Sequence, residues 1–120
     1  MKTLIVILLL AVASLASAGV REERWYQDKW CTDGRTEVVM PDGTRCDCLT
    51  DTHAIEFDFG KKWSEAIGQS LNYAMQTNRR AGVVMILTRP KDRQYWIRMN
   101  SIIQHFSLPI DAWAVEAWRD

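Results

Sequence analysis

Two strand-like runs separated by a polar turn constrain the fold of this chain more than any other feature. Residues 44–49 and 54–59 alternate in polarity, and Thr, Asp and His side chains lie between them. If this hairpin turns most tightly at residues 51–52, Asp47 lies directly opposite Glu56, with Cβ atoms about 5 Å apart. A slip of one residue would separate the two carboxylates. In the expected register, Asp47 and Glu56 are close enough to share one metal ion.

The second run adds another carboxylate to the same patch. Successive side chains of a strand point to opposite faces of a sheet, so Glu56 and Asp58 share one face. The intervening residues point to the other face and into a core; they are Ile55, Phe57 and Phe59. We therefore expect Asp47, Glu56 and Asp58 to crowd one polar patch.

An amphipathic helix is predicted directly after Gly60, over residues 61–77. One polar stripe on it has the spacing i, i+3, i+7, i+11 and consists of Lys62, Glu65, Gln69 and Tyr73. The neighbouring apolar face consists of Trp63, Ala66, Ile67, Leu71 and Ala74. The stripe borders the buried side of the helix, so it can face the carboxylates.

The other elements are predicted from periodicity and turn residues. They are a helix over residues 21–31, a strand over 35–40, a buried strand over 82–88, a helix over 95–106 and a strand over 111–116. The order is helix, three strands, helix, strand, helix, strand. This order indicates the α/β class.

The N-terminal residues have the pattern of a secretory signal peptide, predicted over residues 1–18. Lys2 precedes an apolar run at residues 4–12, and small side chains at 16–18 form a cleavage site. The run is too short for a permanent membrane anchor, although an uncleaved anchor is the alternative. We expect one domain over residues 19–120, exported to the periplasm or secreted, without stable membrane association after cleavage.

Three cysteines lie in the expected mature domain, at Cys31, Cys46 and Cys48. In an oxidising compartment they predict one disulfide and one free thiol. Cys46 and Cys48 flank Asp47 on one strand and are expected to share a face, which makes them poor partners for each other. Cys31 is expected to pair with one of the two, and the sequence leaves open which. The alternative is a zinc site, but no suitably spaced histidine accompanies the C-x-C.

The net charge of the chain argues against strong binding to nucleic acid. The chain has 15 Lys and Arg residues and 15 Asp and Glu residues. Proteins that hold many phosphates are usually basic. A near-neutral chain leaves room only for a local basic patch.

The element order and the acidic residues resemble the PD-(D/E)XK nuclease superfamily, whose restriction-endonuclease-like core runs α-β-β-β-α-β around a mixed central sheet. The last helix and strand of this chain would be additions to that core. Asp47 resembles the family's aspartate on the second strand, and Glu56 the first residue of (D/E)-x-K. Gln69 and Tyr73 resemble the Q-x-x-x-Y signature of some members. Glu23 resembles the acidic residue of their first helix.

One position departs from the family pattern. Asp58 stands where the family has lysine, which gives E-F-D. Some members of the family recruit a lysine from the following helix, and Lys62 is placed to do this. Lys61 lies about 100° away around the helix and is less well placed.

The resemblance implies a Mg²⁺-dependent phosphodiester hydrolase, a nuclease that acts on nucleic acid. Magnesium prefers hard carboxylate oxygens and lowers the pKa of an attacking water. The implied metal ligands are Asp47, Glu56 and Asp58. The implied assisting residues are Lys62 for charge balance, Gln69 for orientation, and Tyr73 for a phosphate or base contact.

The alternative function is a catalytically inactive domain of the same fold that serves as an exported binding or structural protein. The missing lysine and the near-neutral charge favour this alternative, because both weaken the case for a nuclease.

Overall fold

The computed structural model describes residues 21–119, which form one mixed sheet of five strands with three α-helices. The helices are α1 (Glu23–Trp30), α2 (Trp63–Thr77) and α3 (Arg93–His105). The strands are β1 (Arg35–Val39), β2 (Arg45–Leu49), β3 (His53–Phe59), β4 (Arg80–Leu87) and β5 (Ile110–Glu116). Short 3₁₀ turns cover Gly60–Lys62, Pro90–Asp92 and Ala117–Arg119. The predicted element order and the α/β class are confirmed.

The sheet follows the chain in the order β1-β2-β3-β4-β5. β1, β2 and β3 form an antiparallel meander, whereas β3, β4 and β5 are parallel neighbours. Parallel neighbours need a crossover, and α2 and α3 provide the two crossovers. The sheet is therefore mixed. Its parallel half, formed by β3, β4 and β5, is covered by apolar packing on both faces.

The parallel half separates two apolar cores. Alternate residues of β4 pack with α2 and α3 on one face, in the cluster Ala66, Ala81, Val83, Met85, Leu87, Met99, Ile103 and Ile110. The intervening residues pack with α1 on the other face, in the cluster Tyr26, Cys31, Cys48, Phe57, Val84, Ile86 and Val115. The run over β4 is continuously apolar because both of its faces are covered.

The β2–β3 hairpin has the register that the turn predicts. Cys48 pairs with Ile55 and Leu49 pairs with Ala54, so the same register extended by one step sets Asp47 opposite Glu56. The backbone pairing ends there, and the Phe57 N–H donates instead to the Asp47 carboxylate at 2.7 Å. β2 and β3 therefore fork at Asp47.

The first half of the meander is also irregular at this point. In the β1–β2 ladder, Thr36 pairs with Cys48 and Val38 pairs with Cys46, and Glu37 between them has a φ of 52°. A non-glycine residue rarely adopts a positive φ, so the pleat is locally interrupted beside Asp47.

The cysteines form one disulfide, between Cys31 and Cys48. Cys46 is free and buried. Its neighbours are Met40, Leu49, Ala54 and Tyr73, whereas Cys48 packs in the cluster of Tyr26 and Phe57. The predicted disulfide of Cys31 is confirmed, but the expectation that the two cysteines of β2 share one face is wrong, because they pack in different clusters.

The predicted signal peptide, residues 1–18, lies outside the described residues. Within residues 21–119, no helix is long and apolar enough to cross a membrane.

The disulfide arrangement predicts the thiol chemistry of the unfolded protein. Unreduced protein in denaturant should give one reactive thiol, that of Cys46, and native protein should give none, because Cys46 is buried and its pKa is raised to about 11 chiefly by desolvation. Thiol titration with and without denaturant measures both values. Three thiols in the denatured, unreduced protein would contradict the Cys31–Cys48 bond.

The same bond should stabilise the fold. It spans 17 residues, and closing a loop of this length is worth about 3 kcal/mol. Cys31→Ser and Cys48→Ser together should lower the free energy of unfolding by roughly that amount in urea titrations, compared with Cys46→Ala.

Candidate functional site

Four carboxylates from three elements converge in one buried region, which we term the acid cluster. The cluster consists of Glu23 of α1, Asp47 of β2, and Glu56 and Asp58 of β3. Asp47, Glu56 and Asp58 are 7%, 5% and 5% exposed, and Glu23 is partly buried. Asp47 and Asp58 act electrostatically on both Glu23 and Glu56, so the four groups are mutual neighbours. The structure thus brings together the three predicted ligands and adds Glu23 to them.

Each acid is positioned by its own element. Asp47 is fixed at the fork by its bond from the Phe57 N–H. Glu56 and Asp58 are two residues apart on β3 and so project from the same face. On α1, the Gln27 side-chain amide donates to the Glu23 carboxylate at 3.2 Å. The positions of the four acids are therefore determined by the helix and the strands that carry them.

Several buried acceptor atoms in this region receive no hydrogen bond. They are Oε2 of Glu56, Oδ2 of Asp58 and Oε1 of Gln27, and no donor within residues 21–119 reaches them. A buried acceptor without a donor costs about 1–3 kcal/mol, and more if it is charged. These oxygens therefore favour a proton or a cation.

The pKa values of all four acids are raised. Burial is the largest cause for each, and repulsion by neighbouring carboxylates adds to it. The pKa of Glu23 rises to about 7. The pKa of Glu56 is raised the most, because Asp47 and Asp58 flank it and its burial is deep. At neutral pH the cluster consequently retains protons.

Lys62 and Tyr73, two of the residues predicted to assist, lie beside the cluster. The ammonium group of Lys62 lowers the pKa of both Asp58 and Glu23, in partial opposition to burial. Tyr73 is 4% exposed. Burial raises the pKa of its hydroxyl, and the nearby Glu56 and Asp47 carboxylates raise it further.

Gln69 occupies a different position. Its side chain is exposed on α2, and no hydrogen bond in the described part of the chain connects it to the acid cluster. Gln69 and Tyr73 lie on the same side of α2 because they are four residues apart. However, Gln69 lies one turn nearer the N-terminus of the helix, and only Tyr73 is buried.

The acid cluster fits a divalent cation by donor chemistry but not by a complete coordination geometry. Carboxylate oxygens are the ligands that Mg²⁺ prefers, and two of them here lack any donor. However, no group of three or more His, Cys, Asp or Glu side chains within residues 21–119 is arranged to hold a metal ion. The side chains of Asp47, Glu56 and Asp58 would have to rearrange to bind one ion together.

No family model, curated protein or solved structure matches this chain. Functional interpretation therefore depends on the residues and geometry of the acid cluster itself.

Sequence reasoning missed Gln27, which is 2% exposed and bonded to Glu23. The available signal was its position one helical turn after Glu23, which places both side chains on one face of the first helix. A polar pair at this spacing is common on exposed helices, so the pattern does not by itself indicate burial.

The raised pKa values predict the pH dependence of stability. The folded state keeps protons on the acid cluster at pH values where the unfolded chain, with carboxyl pKa values near 4, has released them. The folded state therefore binds more protons, and the free energy of unfolding falls as pH rises from about 4 through 7. Urea titrations should show lower stability at pH 8 than at pH 5.

Glu56→Gln tests the origin of this effect, because glutamine keeps the shape of the protonated acid. The variant should be more stable than the wild type at pH 8, by about 2 kcal/mol, and similar to it at pH 5. Asp51→Asn, in the exposed turn, is the matched control and should leave the pH dependence unchanged. An equal effect of Glu56→Gln at both pH values would contradict the assignment.

Proposed function

We propose that this chain is an exported phosphodiester hydrolase that cleaves nucleic acid with the help of Mg²⁺. The observation that carries the proposal is the convergence of four buried carboxylates with a lysine and a tyrosine at the fork of two strands. Structural acids are normally exposed or paired with bases. A buried group of like charges with raised pKa values is instead typical of functional sites.

The proposed metal ligands are Asp47, Glu56 and Asp58. When bound, the ion would stabilise charge on the phosphoryl oxygens and lower the pKa of an attacking water. Glu23, which is held by Gln27, would then be the carboxylate left to accept a proton from that water as a general base.

Lys62 is proposed to supply the positive charge that E-F-D lacks. Its ammonium group lowers the pKa of Asp58 and so lies near that carboxylate. Because Lys62 is exposed, the ammonium can reach both the cluster and a phosphate at the surface. A cation in this position would balance charge that develops on the phosphoryl oxygens. Tyr73, through its hydroxyl, would orient Glu56.

The proposed fold is the restriction-endonuclease-like core, extended by α3 and β5. Its support is the order of α1, the antiparallel meander, α2 and β4, together with acids on the second and third strands. The Cys31–Cys48 disulfide supports the export part of the proposal, because such bonds persist in oxidising compartments.

An inactive binding or structural domain of the same fold is the second candidate. It is favoured by the burial of Asp47, Glu56 and Asp58 and by the lack of an arranged metal-binding group among the described residues. In that case the acid cluster would remain protonated and serve only packing.

A nicking assay distinguishes the two candidates. The purified protein with Mg²⁺ or Mn²⁺ should nick plasmid DNA or cleave RNA, and a chelator should stop the reaction. Asp47→Asn should reduce the rate on the order of 100-fold, because the amide is a poor metal ligand but can still accept the Phe57 N–H. Asp51→Asn should retain full activity. Absence of cleavage with every divalent cation, at high protein concentration, would reject the hydrolase.

The proposed role of lysine is tested by two adjacent residues. Lys62→Met should lower kcat by about 10-fold to 100-fold, whereas Lys61→Met should have little effect, although both remove one positive charge. Lys61 lines a different surface hollow, with Thr88 and Arg89. An equal loss in both variants would indicate a general charge effect instead of a specific role.

A further inference from the structure

A cavity of about 390 Å³ lies on the α1 side of the parallel strands and belongs to no site described above. Its floor is apolar and is formed by the Cys48 disulfide and by Ile55, Phe57, Val84 and Val115. None of the four acids of the acid cluster lines it. Its volume falls in the range of small-molecule sites, roughly 300–1,000 Å³.

Two half-exposed tryptophans form the walls of this cavity. Trp30, the last residue of α1, is 48% exposed, and Trp113 of β5 is 44% exposed. Helix α1 has only eight residues, so it covers the sheet face incompletely and ends at the cavity. Neighbouring exposed aromatic side chains at the mouth of an apolar cavity are typical of a binding surface.

The ring of Trp113 is held in place from several sides. A Cβ atom at Gly82 would lie 2.9 Å from Trp113 Cζ3, so the indole lies directly against the backbone of β4. The ring of His53 contacts it edge-on, with centroids 5.5 Å apart. His53 is itself fixed at both nitrogens, by the Thr52 hydroxyl at 2.8 Å and by Asp111 at 2.7 Å. Trp113 is therefore a rigid aromatic platform, which reduces the entropy lost on binding.

The charges around the cavity select the kind of ligand. Asp33 lines the cavity, whereas no Lys or Arg is present among the described lining residues. Asp111 behind His53 is neutralised by Arg80 at 2.7 Å. Lys29 lies between the rings of Trp25 and Trp30 and does not line the cavity. The lining therefore disfavours phosphates and carboxylates.

A second hollow adjoins the first and shares Trp30, Ala114 and Val115 with it. Arg119 lines this hollow and pairs with Glu116 at 2.7 Å, a carboxylate that Arg93 also contacts at 3.1 Å. The combined groove can therefore accept a ligand longer than one ring, with the cationic group in the first cavity and the apolar body toward Arg119.

We infer that the cavity between Trp30 and Trp113 binds an organic cation, a quaternary or hydrophobic ammonium group attached to an apolar or aromatic body. The indole ring of Trp113 attracts the cation through its π face, Asp33 complements its charge, and the apolar floor takes the body of the ligand. This activity is independent of the proposed phosphodiester hydrolysis, since the two sites share no residue.

Three probes of similar size and different charge test the inference. The probes are benzyltrimethylammonium, benzyl alcohol and phenylacetate, titrated into the purified protein while the indole N–H resonances are followed by NMR. We expect saturable binding of the cation, about 10-fold weaker binding of the neutral probe and still weaker binding of the anion. Equal or tighter binding of benzyl alcohol or phenylacetate, or no saturable binding of the cation, would overturn the proposal.

Two variants, Trp113→Ala and Asp33→Asn, locate the binding site, and Ile97→Ala is their control. Trp113→Ala should weaken binding of the cation about 10-fold or more, and Ile97→Ala, an exposed apolar residue of α3, should have no effect. Asp33→Asn should weaken binding of the cation without changing that of benzyl alcohol, and it remains informative if Trp113→Ala does not fold. Binding of the cation that is insensitive to both Trp113→Ala and Asp33→Asn would also overturn the proposal.

Discussion

The hydrogen bond from the Phe57 N–H to the Asp47 carboxylate is the interaction on which the arrangement of this protein depends. In a regular hairpin this N–H would meet a backbone carbonyl of the neighbouring strand. Here a side chain replaces that carbonyl, so the two strands can separate without leaving a buried donor unsatisfied. At this point the side chain of Asp47 lies beside Glu56 and Asp58 of β3, and all three are buried.

The rest of the fold compensates for burying these acids. Ionised carboxylates in a poorly solvated region repel one another and lose hydration, and proteins respond by raising pKa values. The offset comes from two apolar cores on the faces of the parallel strands and from the disulfide that joins the end of α1 to β2. The acid cluster thus destabilises a scaffold that is otherwise well packed, and a stability cost of this kind is common at functional sites.

Much of this arrangement could be predicted from local patterns. The turn at residues 50–53 gave the register that sets Asp47 opposite Glu56, because the period of a strand leaves few alternatives. The apolar run of β4 and the periodicity of α2 and α3 gave the order of the elements. The pairing of Cys48 instead of Cys46 was beyond reach, since strand alternation predicts both side chains on one face, whereas they pack in different clusters. The platform of Trp113 on Gly82 was equally hidden, because it joins neighbouring strands that the sequence does not align.

The position of the disulfide connects the acid cluster to the redox state of the protein. One of its sulfurs belongs to the residue next to Asp47, and the other follows the helix that carries Glu23. The bond therefore joins the two halves of the acid cluster covalently, α1 with Glu23 to β2 with Asp47. A chain with both thiols reduced would hold Glu23 near the other acids only through the packing of α1 on the sheet, so reduction would loosen the cluster without breaking the chain.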